Sequence, residues 1–415
     1  MSRSPRGGRA STRPHLILVG SGGRPYREYA FQTLVQSYEL SALLPGEPTW
    51  QGPYLCDWRA ADLEDERAVA RAVAALLRPG SEEGLLTWDE TVLEMTALAA
   101  EKLSLPHMTP QAAGRCRDKY AVRSALSDAG VGSVRYGLAD SADQATNIAN
   151  SIGYPVVVKP RALAGSIGVV LVRDAAAMTA AFDLANESRY GNLPTGHGVL
   201  VEEFLDGPEI SVDSVVADGE VTCVQVARKR LGFAPHFEEV GHLITGWASS
   251  PWAQPVRAVL RTAHRVLGVG LGVTHAEVRL TRSGPRLVEL NGRLGGDFIP
   301  YIGRLATGID MVTAAAELSL GHRPDVAANR QRSAEVRFVY PRRDGIVRRV
   351  DLARAKAVPG ITDAIVLAEP GTRLLLPPRQ AIPRLAALIA VADDPHACEH
   401  ALDLAESKVD AQLVT

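Results

Sequence analysis

Residues 274–300 read THAEVRLTRSGPRLVELNGRLGGDFIP, and this stretch decides the fold prediction. Polar and apolar residues alternate in HAEVRL and again in RLVELN, as they do in β-strands with one buried face. The intervening SGP predicts a turn. If that turn centres on Ser283, Glu277 and Glu289 lie opposite each other, and Asn291 lies beside Glu289 on the same face.

These side chains form a set of hard oxygen donors. Two carboxylates directly across a strand pair repel each other unless a cation lies between them. Together with the amide oxygen of Asn291 they suit Mg²⁺. Arg293 and the pair Gly295-Gly296 follow, and the glycines allow backbone to approach a ligand. The alternative is an exposed hairpin whose charges face water. Changing Glu289 to Gln is expected to relieve repulsion and slightly stabilise the metal-free protein.

Glu277 and the run Glu289-Leu-Asn291-Gly-Arg293 resemble the metal-binding signature of the ATP-grasp superfamily. Within it, the chain resembles the carboxylate–amine ligases that join amino acids into dipeptides, from about residue 15 to about residue 330. The resemblance implies ATP and Mg²⁺ as cofactors, with Mn²⁺ as the alternative metal. It makes Glu277, Glu289 and Asn291 the metal ligands. Arg293 is then the group that steadies the transferred phosphoryl group.

The implied fold class is α/β: an ATP-grasp fold with an N-terminal open parallel α/β lobe, two nucleotide-binding lobes and a small C-terminal α+β lobe. No chemistry is evident in the C-terminal lobe. The predicted boundaries are a disordered tail at 1–14, the N-terminal lobe at 15–112, the small ATP-grasp lobe at 113–198, the large ATP-grasp lobe at 199–329 and the C-terminal lobe at 330–415.

A lysine at the end of an apolar run predicts a phosphate site. Three valines precede Lys159, and a buried ammonium group needs an anionic partner such as an ATP phosphate. The loop after it contains Gly165 and Ser166, whose backbone N–H groups suit phosphates. The alternative for the loop alone is a plain hairpin turn. Lys119, at a helix start, resembles the first phosphate-binding lysine of the superfamily.

Residues 199–212 read VLVEEFLDGPEISV and predict a strand, a turn and a strand. By resemblance this segment is the hinge that holds adenine. Glu202, or Glu203 if the register slips by one, bonds the adenine amino group, and Glu209 bonds the ribose hydroxyls. The implied nucleotide-binding set is Lys119, Lys159, Gly165, Ser166, Glu202, Glu203, Phe204, Leu205 and Glu209.

Residues 227–242 have dense charge and no clear period, which predicts a loop that covers the substrate. Dipeptide-forming ligases carry a Glu and a His three apart in this region, and Glu239 and His242 match that spacing. The resemblance implies that they contact the acid substrate together with Arg293. The alternative is a mobile loop that touches nothing. Asp297 departs from the bulky residue of some dipeptide ligases, so family specificity does not transfer.

The segment from His15 to Val19 predicts a buried strand that enters the glycine turn GSGG at 20–23. The glycine spacing does not match GxGxxG, so the turn only weakly suggests a dinucleotide site. Asp89 is expected to cap a helix, and Glu90 follows it at the end of another strand. Ligands of open α/β sheets bind at such strand ends.

Composition excludes several other classes. The 415 residues carry a net charge of −2, which gives no general attraction to nucleic acid or membrane. No apolar run approaches the ~20 residues that span a bilayer, and the N-terminus lacks a secretory apolar segment. Four scattered cysteines indicate reduced thiols, and the predicted location is cytoplasmic. Only six of the 45 basic residues are lysines, at 102, 119, 159, 229, 356 and 408.

These observations predict an ATP-dependent carboxylate–amine ligase, whose partners are small acid and amine substrates, both expected to be amino acids. A homodimer is expected by resemblance alone. Three alternatives remain at this point: a biotin-dependent carboxylase of the same superfamily, an NAD-binding oxidoreductase that uses the glycine turn, and a catalytically silent nucleotide-binding protein.

Overall fold

A computed structural model describes residues 13–131, 134–189 and 198–414. Its first lobe is an open sheet of four parallel strands in the order β3-β2-β1-β4, flanked by helices. Every residue of the first strand is buried, as the apolar run predicts. The elements are β1 (His15–Val19), α1 (Arg24–Leu34), β2 (Glu39–Leu44), β3 (Asp57–Ala60), α2 (Glu66–Leu76), β4 (Glu83–Leu86), α3 (Leu93–Leu103) and α4 (Pro110–Arg117).

The second lobe is a small antiparallel sheet whose strand order is β5-β8-β6-β7. Asp118 caps its first helix by accepting from the backbone N–H groups of Tyr120 and Ala121, which places Lys119 at the first helical position. Lys159 lies in the second-last position of a strand, as predicted. The elements are α5 (Lys119–Asp128), β5 (Tyr136–Ala139), α6 (Ala142–Ile152), β6 (Val156–Pro160), β7 (Val170–Val172), α7 (Met178–Glu187) and β8 (Val199–Glu203).

The third lobe is the first part of an eight-stranded antiparallel sheet, which contains both strands of the 274–300 stretch. The loop predicted for residues 227–242 is wrong, because most of that segment belongs to two long paired strands. The elements are β9 (Glu209–Ala217), β10 (Glu220–Gly232), β11 (Glu238–Ile244), α8 (Ala253–Leu267), β12 (Gly272–Thr281), β13 (Gly284–Asn291), α9 (Ile299–Thr307) and α10 (Met311–Ser319).

The C-terminal residues complete the same sheet, whose full order is β13-β12-β9-β10-β11-β14-β18-β16, and add a three-stranded sheet β17-β15-β19. The boundary predicted at residue 330 therefore divides a continuous sheet. The elements are β14 (Ser333–Val339), β15 (Gly345–Asp351), α11 (Ala353–Lys356), β16 (Ile361–Val366), β17 (Arg373–Leu374), β18 (Ala386–Ala392), α12 (Pro395–Glu406) and β19 (Asp410–Val414).

Two general predictions can be compared with the described residues. None of the helices there has the length and apolar character needed to cross a bilayer, and the four cysteines are free thiols. The tail predicted at 1–14 lies outside the described residues apart from Arg13 and Pro14.

Gly207 lies in the short connection between the small and the large sheet, and it generates a stability prediction. A Cβ atom there would lie 2.2 Å from the backbone oxygen of Leu280, and its φ is +143°. We expect Gly207→Ala to lower the free energy of unfolding by about 2 kcal/mol, because backbone would have to move. Urea unfolding measures this free energy. Gly270→Ala, where a Cβ meets nothing within 4 Å, is the control; equal losses in both variants would contradict the prediction.

Candidate active site

Glu277 and Glu289 lie directly opposite each other on β12 and β13, as predicted. The reason differs from the one expected. The turn is centred between residues 282 and 283, half a residue before the predicted centre at Ser283. If the strand pairing next to the turn continued unchanged, Val288 would lie opposite Glu277. A β-bulge between Glu277 and Val278 shifts the pairing by one residue. The bulge therefore brings the two carboxylates to the same face.

Two lysines lie beside this carboxylate pair. Lys119 Nζ is 3.0 Å from Glu289 Oε1, and Lys229 Nζ is 2.8 Å from Glu277 Oε1. Burial raises the pKa of Glu289, and Lys119 offsets this only in part. The stability gain expected for Glu289→Gln no longer follows, because the change would leave the Lys119 ammonium buried without its carboxylate.

The neighbours of the Asn291 amide indicate whether these residues fit Mg²⁺. One end of the amide lies 3.0 Å from Glu90 Oε1 and 3.0 Å from Glu289 Oε1. With nitrogen there, the amide donates to both carboxylates. With oxygen there, the amide oxygen lies about 3 Å from one oxygen of each carboxylate, which is the edge of an octahedron whose metal–oxygen distance is about 2.1 Å. The donor set fits Mg²⁺, and it includes Glu90, which sequence reasoning did not place among the ligands.

Arg293 is held by the N-terminal lobe. Its Nη2 donates to Glu90 Oε2 at 2.6 Å, and its Nε donates to the same oxygen at 3.2 Å. Asp89 caps the helical turn that begins at Glu90, as predicted, by accepting from Thr91 N at 3.0 Å. This cap positions Glu90 between Arg293 and Asn291.

Lys159 has an anionic partner, as predicted, but the chain itself supplies it. Its Nζ is 2.7 Å from Glu202 Oε2, and Arg123 Nε donates to Glu202 Oε1 at 2.6 Å. Burial raises the pKa of Glu202, but Arg123 and Lys159 lower it to about 2. Arg123 also donates to the backbone oxygens of Leu287 and Val288, so it joins the small lobe to β13.

The glycine loop and the hinge residues lie along the same cleft. Gly165 and Ser166 both have positive φ, +65° and +56°, a strained conformation for serine. Phe204 and Leu205 follow the end of β8, where strand pairing stops. Glu203 pairs with Arg135 at 2.7 Å.

Lys229 is the largest omission of the sequence reasoning. Its side chain is 1% exposed, and its Nζ lies 2.7 Å from Glu209, 2.9 Å from Glu239 and 2.8 Å from Glu277. Burial lowers the pKa of Lys229, but the three carboxylates raise it well above its usual value. Lysines are rare among the 45 basic residues, and this rarity was a signal in the sequence that pointed to Lys229.

Glu239 and His242 lie on β11 rather than on a mobile loop. His242 Nε2 is 3.2 Å from Glu239 Oε2 and 3.4 Å from Asp297 Oδ2. Burial lowers the pKa of His242, but the two carboxylates raise it above its usual value. Such a trio could hold a metal ion. Arg384 donates to both Asp297 oxygens, at 2.8 and 2.7 Å, so this cluster already contains a cation.

Arg384 also changes the account of the C-terminal lobe, which was predicted to carry no chemistry. It precedes β18 and lines the cleft together with Ile382. Phe237 lines the cleft, whereas Phe298 is buried against Tyr26.

One cleft brings nearly all the predicted residues together. His242 is the exception and reaches the cleft only through Glu239 and Asp297. The predicted residues that line it are Lys119, Lys159, Gly165, Ser166, Glu202, Glu203, Phe204, Leu205, Glu209, Glu239, Glu277, Glu289, Asn291 and Arg293.

Comparison with known proteins agrees with this arrangement. Residues 152–301 match the family described as ATP-grasp domain. This part of the chain is an ATP-grasp domain. Residues 337–414 match the family described as L-amino acid ligase C-terminal domain 2. The fold is similar to the crystal structure of L-amino acid ligase from Bacillus licheniformis, with a TM-score of 0.81 and 20% identity over 98% of this chain and 100% of that one.

Two relatives give the extent of sequence similarity. An uncharacterised protein of Sinorhizobium fredii is 32% identical over 301 residues, which are 70% of this chain and 60% of that protein. Carnosine synthase 1 of Homo sapiens is 30% identical over 281 residues, which are 63% of this chain and 33% of that protein. The chain thus spans less than two thirds of either relative.

The Glu202 ion pairs predict that the stability of this protein depends on pH. The folded-state pKa is lowered from 4.5 to about 2, so the stabilisation is complete above the unfolded pKa and is lost as pH falls toward 2. We expect a loss of up to about 3 kcal/mol from this group. Urea unfolding at pH values between about 5 and 2 measures it.

Glu202→Gln should be less stable near neutral pH and should show a shallower fall in acid. Glu220→Gln, which removes an exposed carboxylate, should keep the wild-type slope. An unchanged acid slope in Glu202→Gln would contradict the assignment.

Proposed function

We propose that this protein is an ATP-dependent ligase that joins the carboxylate of one amino acid to the amine of another. The observation that carries the proposal is the single cleft lined by Lys159, Glu209, Glu239, Glu289 and Asn291. It combines cations suited to phosphates, oxygens suited to Mg²⁺ and an acid suited to a substrate ammonium group.

Lys159 and Lys119 would bind ATP phosphates. Both are buried, and both are held by carboxylates, so their ammonium groups are fixed in place before the nucleotide binds. Glu209 would accept from the ribose hydroxyls while Lys229 and Arg279 hold its carboxylate, each at 2.7 Å. Phe204 and Leu205 would wall the adenine.

Glu277, Glu289 and Asn291 would hold Mg²⁺, with Glu90 close by; Mn²⁺ suits the same oxygens. When bound, the metal neutralises charge on the phosphates. Glu277 lies on β12, in the same sheet as Lys229 and Glu209, and its carboxylate contacts Lys229 Nζ, so it keeps a fixed position relative to Glu209.

Glu239 would accept hydrogen bonds from the ammonium group of the acid substrate, because its carboxylate is buried, fixed by Lys229 and aimed into the cleft. Burial raises the pKa of Glu239, but Lys229 and His242 lower it well below its usual range. It therefore stays ionised. His242 and Arg384 hold the neighbouring Asp297 and so shape this end of the cleft.

The reaction then has two steps. A carboxylate oxygen of the acid substrate attacks the γ-phosphorus of ATP, the bond to ADP breaks, and an acyl phosphate forms. The amine attacks the acyl carbon, the carbon–oxygen bond breaks, and phosphate and a proton leave. The lysines and Arg293 neutralise charge in both steps. No covalent enzyme nucleophile is needed.

A phosphate-release screen tests the proposal. The protein is incubated with ATP, Mg²⁺ or Mn²⁺, and all pairs of common amino acids, and product masses identify the bond formed. Separate wells contain bicarbonate with biotin, or NADH with oxo acids. Phosphate release that requires a pair of amino acids supports the ligase. Turnover only with bicarbonate, or none with any pair, would reject it.

Lys159→Ala should weaken ATP binding by about 1.5–3 kcal/mol, the usual contribution of a hydrogen bond to a charged group. Arg123 stays beside Glu202 in this variant, so the carboxylate keeps a cation. Calorimetry measures the affinity. Lys102→Ala, on the exposed side of α3, is the control. Unchanged ATP affinity in Lys159→Ala would remove this lysine from the site.

Glu239→Gln should raise KM for the acid substrate strongly and leave KM for ATP near its original value. The reason is that Gln keeps the shape but loses the charge that attracts the ammonium group. The control is Glu238→Gln, because Glu238 lines a neighbouring cavity with His236 and Pro377. If both Michaelis constants and kcat are unchanged in Glu239→Gln, the ammonium role is wrong.

A further inference from the structure

Arg27 stands apart from the other buried basic residues. In the described part of the chain the lysines and arginines with buried side chains are Lys229, whose three carboxylate partners are given above, and Arg27, Lys119, Arg123, Lys159 and Arg384. The last four each have a carboxylate oxygen within 3.0 Å. For Arg27 no carboxylate of the described residues lies within 4.0 Å, although its side chain is only 9% exposed. A buried guanidinium group without a counter-ion is costly and is usually kept for a ligand.

Arg27 also lies beside the cleft. It is on α1, directly after the glycine turn, and its guanidinium lies 5.8 Å from the centre of the Trp88 ring. Burial lowers the pKa of Arg27, and the neutral residue Tyr29 raises it in part; of the charged neighbours, Arg293 lowers it and Asp297 raises it. Both of these neighbours line the cleft. A Cβ at Gly22 would lie 2.9 Å from Arg27 Cγ, so the glycine turn leaves room for this side chain.

In the proposed reaction, one charged group of the substrates has not yet been given a binding partner on the protein. The acid substrate loses its carboxylate to the new bond, and its ammonium group faces Glu239. The amine substrate, if it is an amino acid, keeps its carboxylate through the reaction and into the product. Among the described cations of the cleft, Arg293 is held by Glu90, Arg384 by Asp297 and Lys229 by three glutamates.

On the basis of the proposed function, we propose that Arg27 binds the unreactive carboxylate of the amine substrate, which is therefore a free α-amino acid. The planar guanidinium suits a carboxylate that offers two oxygens. Arg27 follows the carboxyl end of β1 in the N-terminal lobe, whereas Glu239 lies on β11 of the large sheet, so the two substrates' charged groups would bind to different lobes. The selected amine is thus distinguished from simple alkyl amines by its carboxylate.

The test compares amines with and without this carboxylate. Each amino acid that supports turnover as the amine is compared with its own amide, for the wild type, Arg27→Met and Arg27→Lys. We expect the wild type to favour the free amino acid over the amide by about 10- to 150-fold in kcat/KM, the effect of a hydrogen bond to a charged group. Arg27→Met should lose this preference and use the amide at the wild-type rate, and Arg27→Lys should keep part of it.

Acyl phosphate formation is measured separately, with hydroxylamine as a trap that converts the intermediate to a hydroxamate without an amino acid amine. Arg27→Met should form hydroxamate at the wild-type rate. Arg24→Met, an exposed change on the same helix, should behave as wild type in both assays.

Three results would overturn the inference. The first is that Arg27→Met lowers kcat/KM equally for the amino acid and for its amide. The second is a slower hydroxamate reaction in Arg27→Met, which would place Arg27 in the site of the acid substrate. The third is a wild type that uses the amino acid and its amide equally well. The last comparison needs no variant and decides even if Arg27→Met does not fold. If the wild type forms no hydroxamate with any amino acid, the proposed function itself fails, and this inference fails with it.

Discussion

The ammonium group of Lys229 is the interaction on which the rest of the site depends. Lys229 lies on β10, and its three carboxylate partners, Glu209, Glu239 and Glu277, lie on β9, β11 and β12. These four strands are consecutive in the sheet. One buried cation therefore fixes the groups proposed to bind ribose, the acid substrate and the metal. Burying four charges is costly, and only their mutual attraction and good geometry offset that cost.

Three carboxylates contact Lys229, and Arg279 also pairs with Glu209, so the carboxylates of this cluster still outnumber its lysine and arginine groups. Glu289 has Lys119 beside it, but Glu90 and Asn291 bring further oxygens to the same place. A site with this excess of negative charge attracts Mg²⁺ and a substrate ammonium group. The opposite pattern occurs on the N-terminal lobe, where no carboxylate of the described residues lies within 4.0 Å of the Arg27 guanidinium. The charges that the chain leaves unbalanced thus correspond to the charges that two amino acids and a metal would bring.

Two sheets meet at the cleft, and the connection between β8 and β9 joins them. Glu202 is the second-last residue of β8 in the small sheet, and Glu209 is the first residue of β9 in the large one. Arg123 crosses between them by binding Glu202 and the backbone of β13. The groups of the small lobe that are proposed to bind the nucleotide and the groups of the large lobe that are proposed to bind the metal are therefore linked by contacts of the protein itself.

The sequence by itself determined the residues whose neighbours along the chain explain them. Alternation predicted β12 and β13, and three valines predicted the strand before Lys159. The spacing of Glu277, Glu289 and Asn291 predicted that these side chains share the face proposed to bind the metal. Only the tertiary structure decided the β-bulge that pairs Glu277 with Glu289, the triple partnership of Lys229, and the arrival of Arg384 from a segment 87 residues beyond Asp297. The dense charge of 227–242 and its lack of a clear period predicted a loop that covers the substrate, because charged residues are usually exposed. Here the charges are buried as ion pairs between strands that are distant in the chain, and burial of that kind cannot be read from local periodicity.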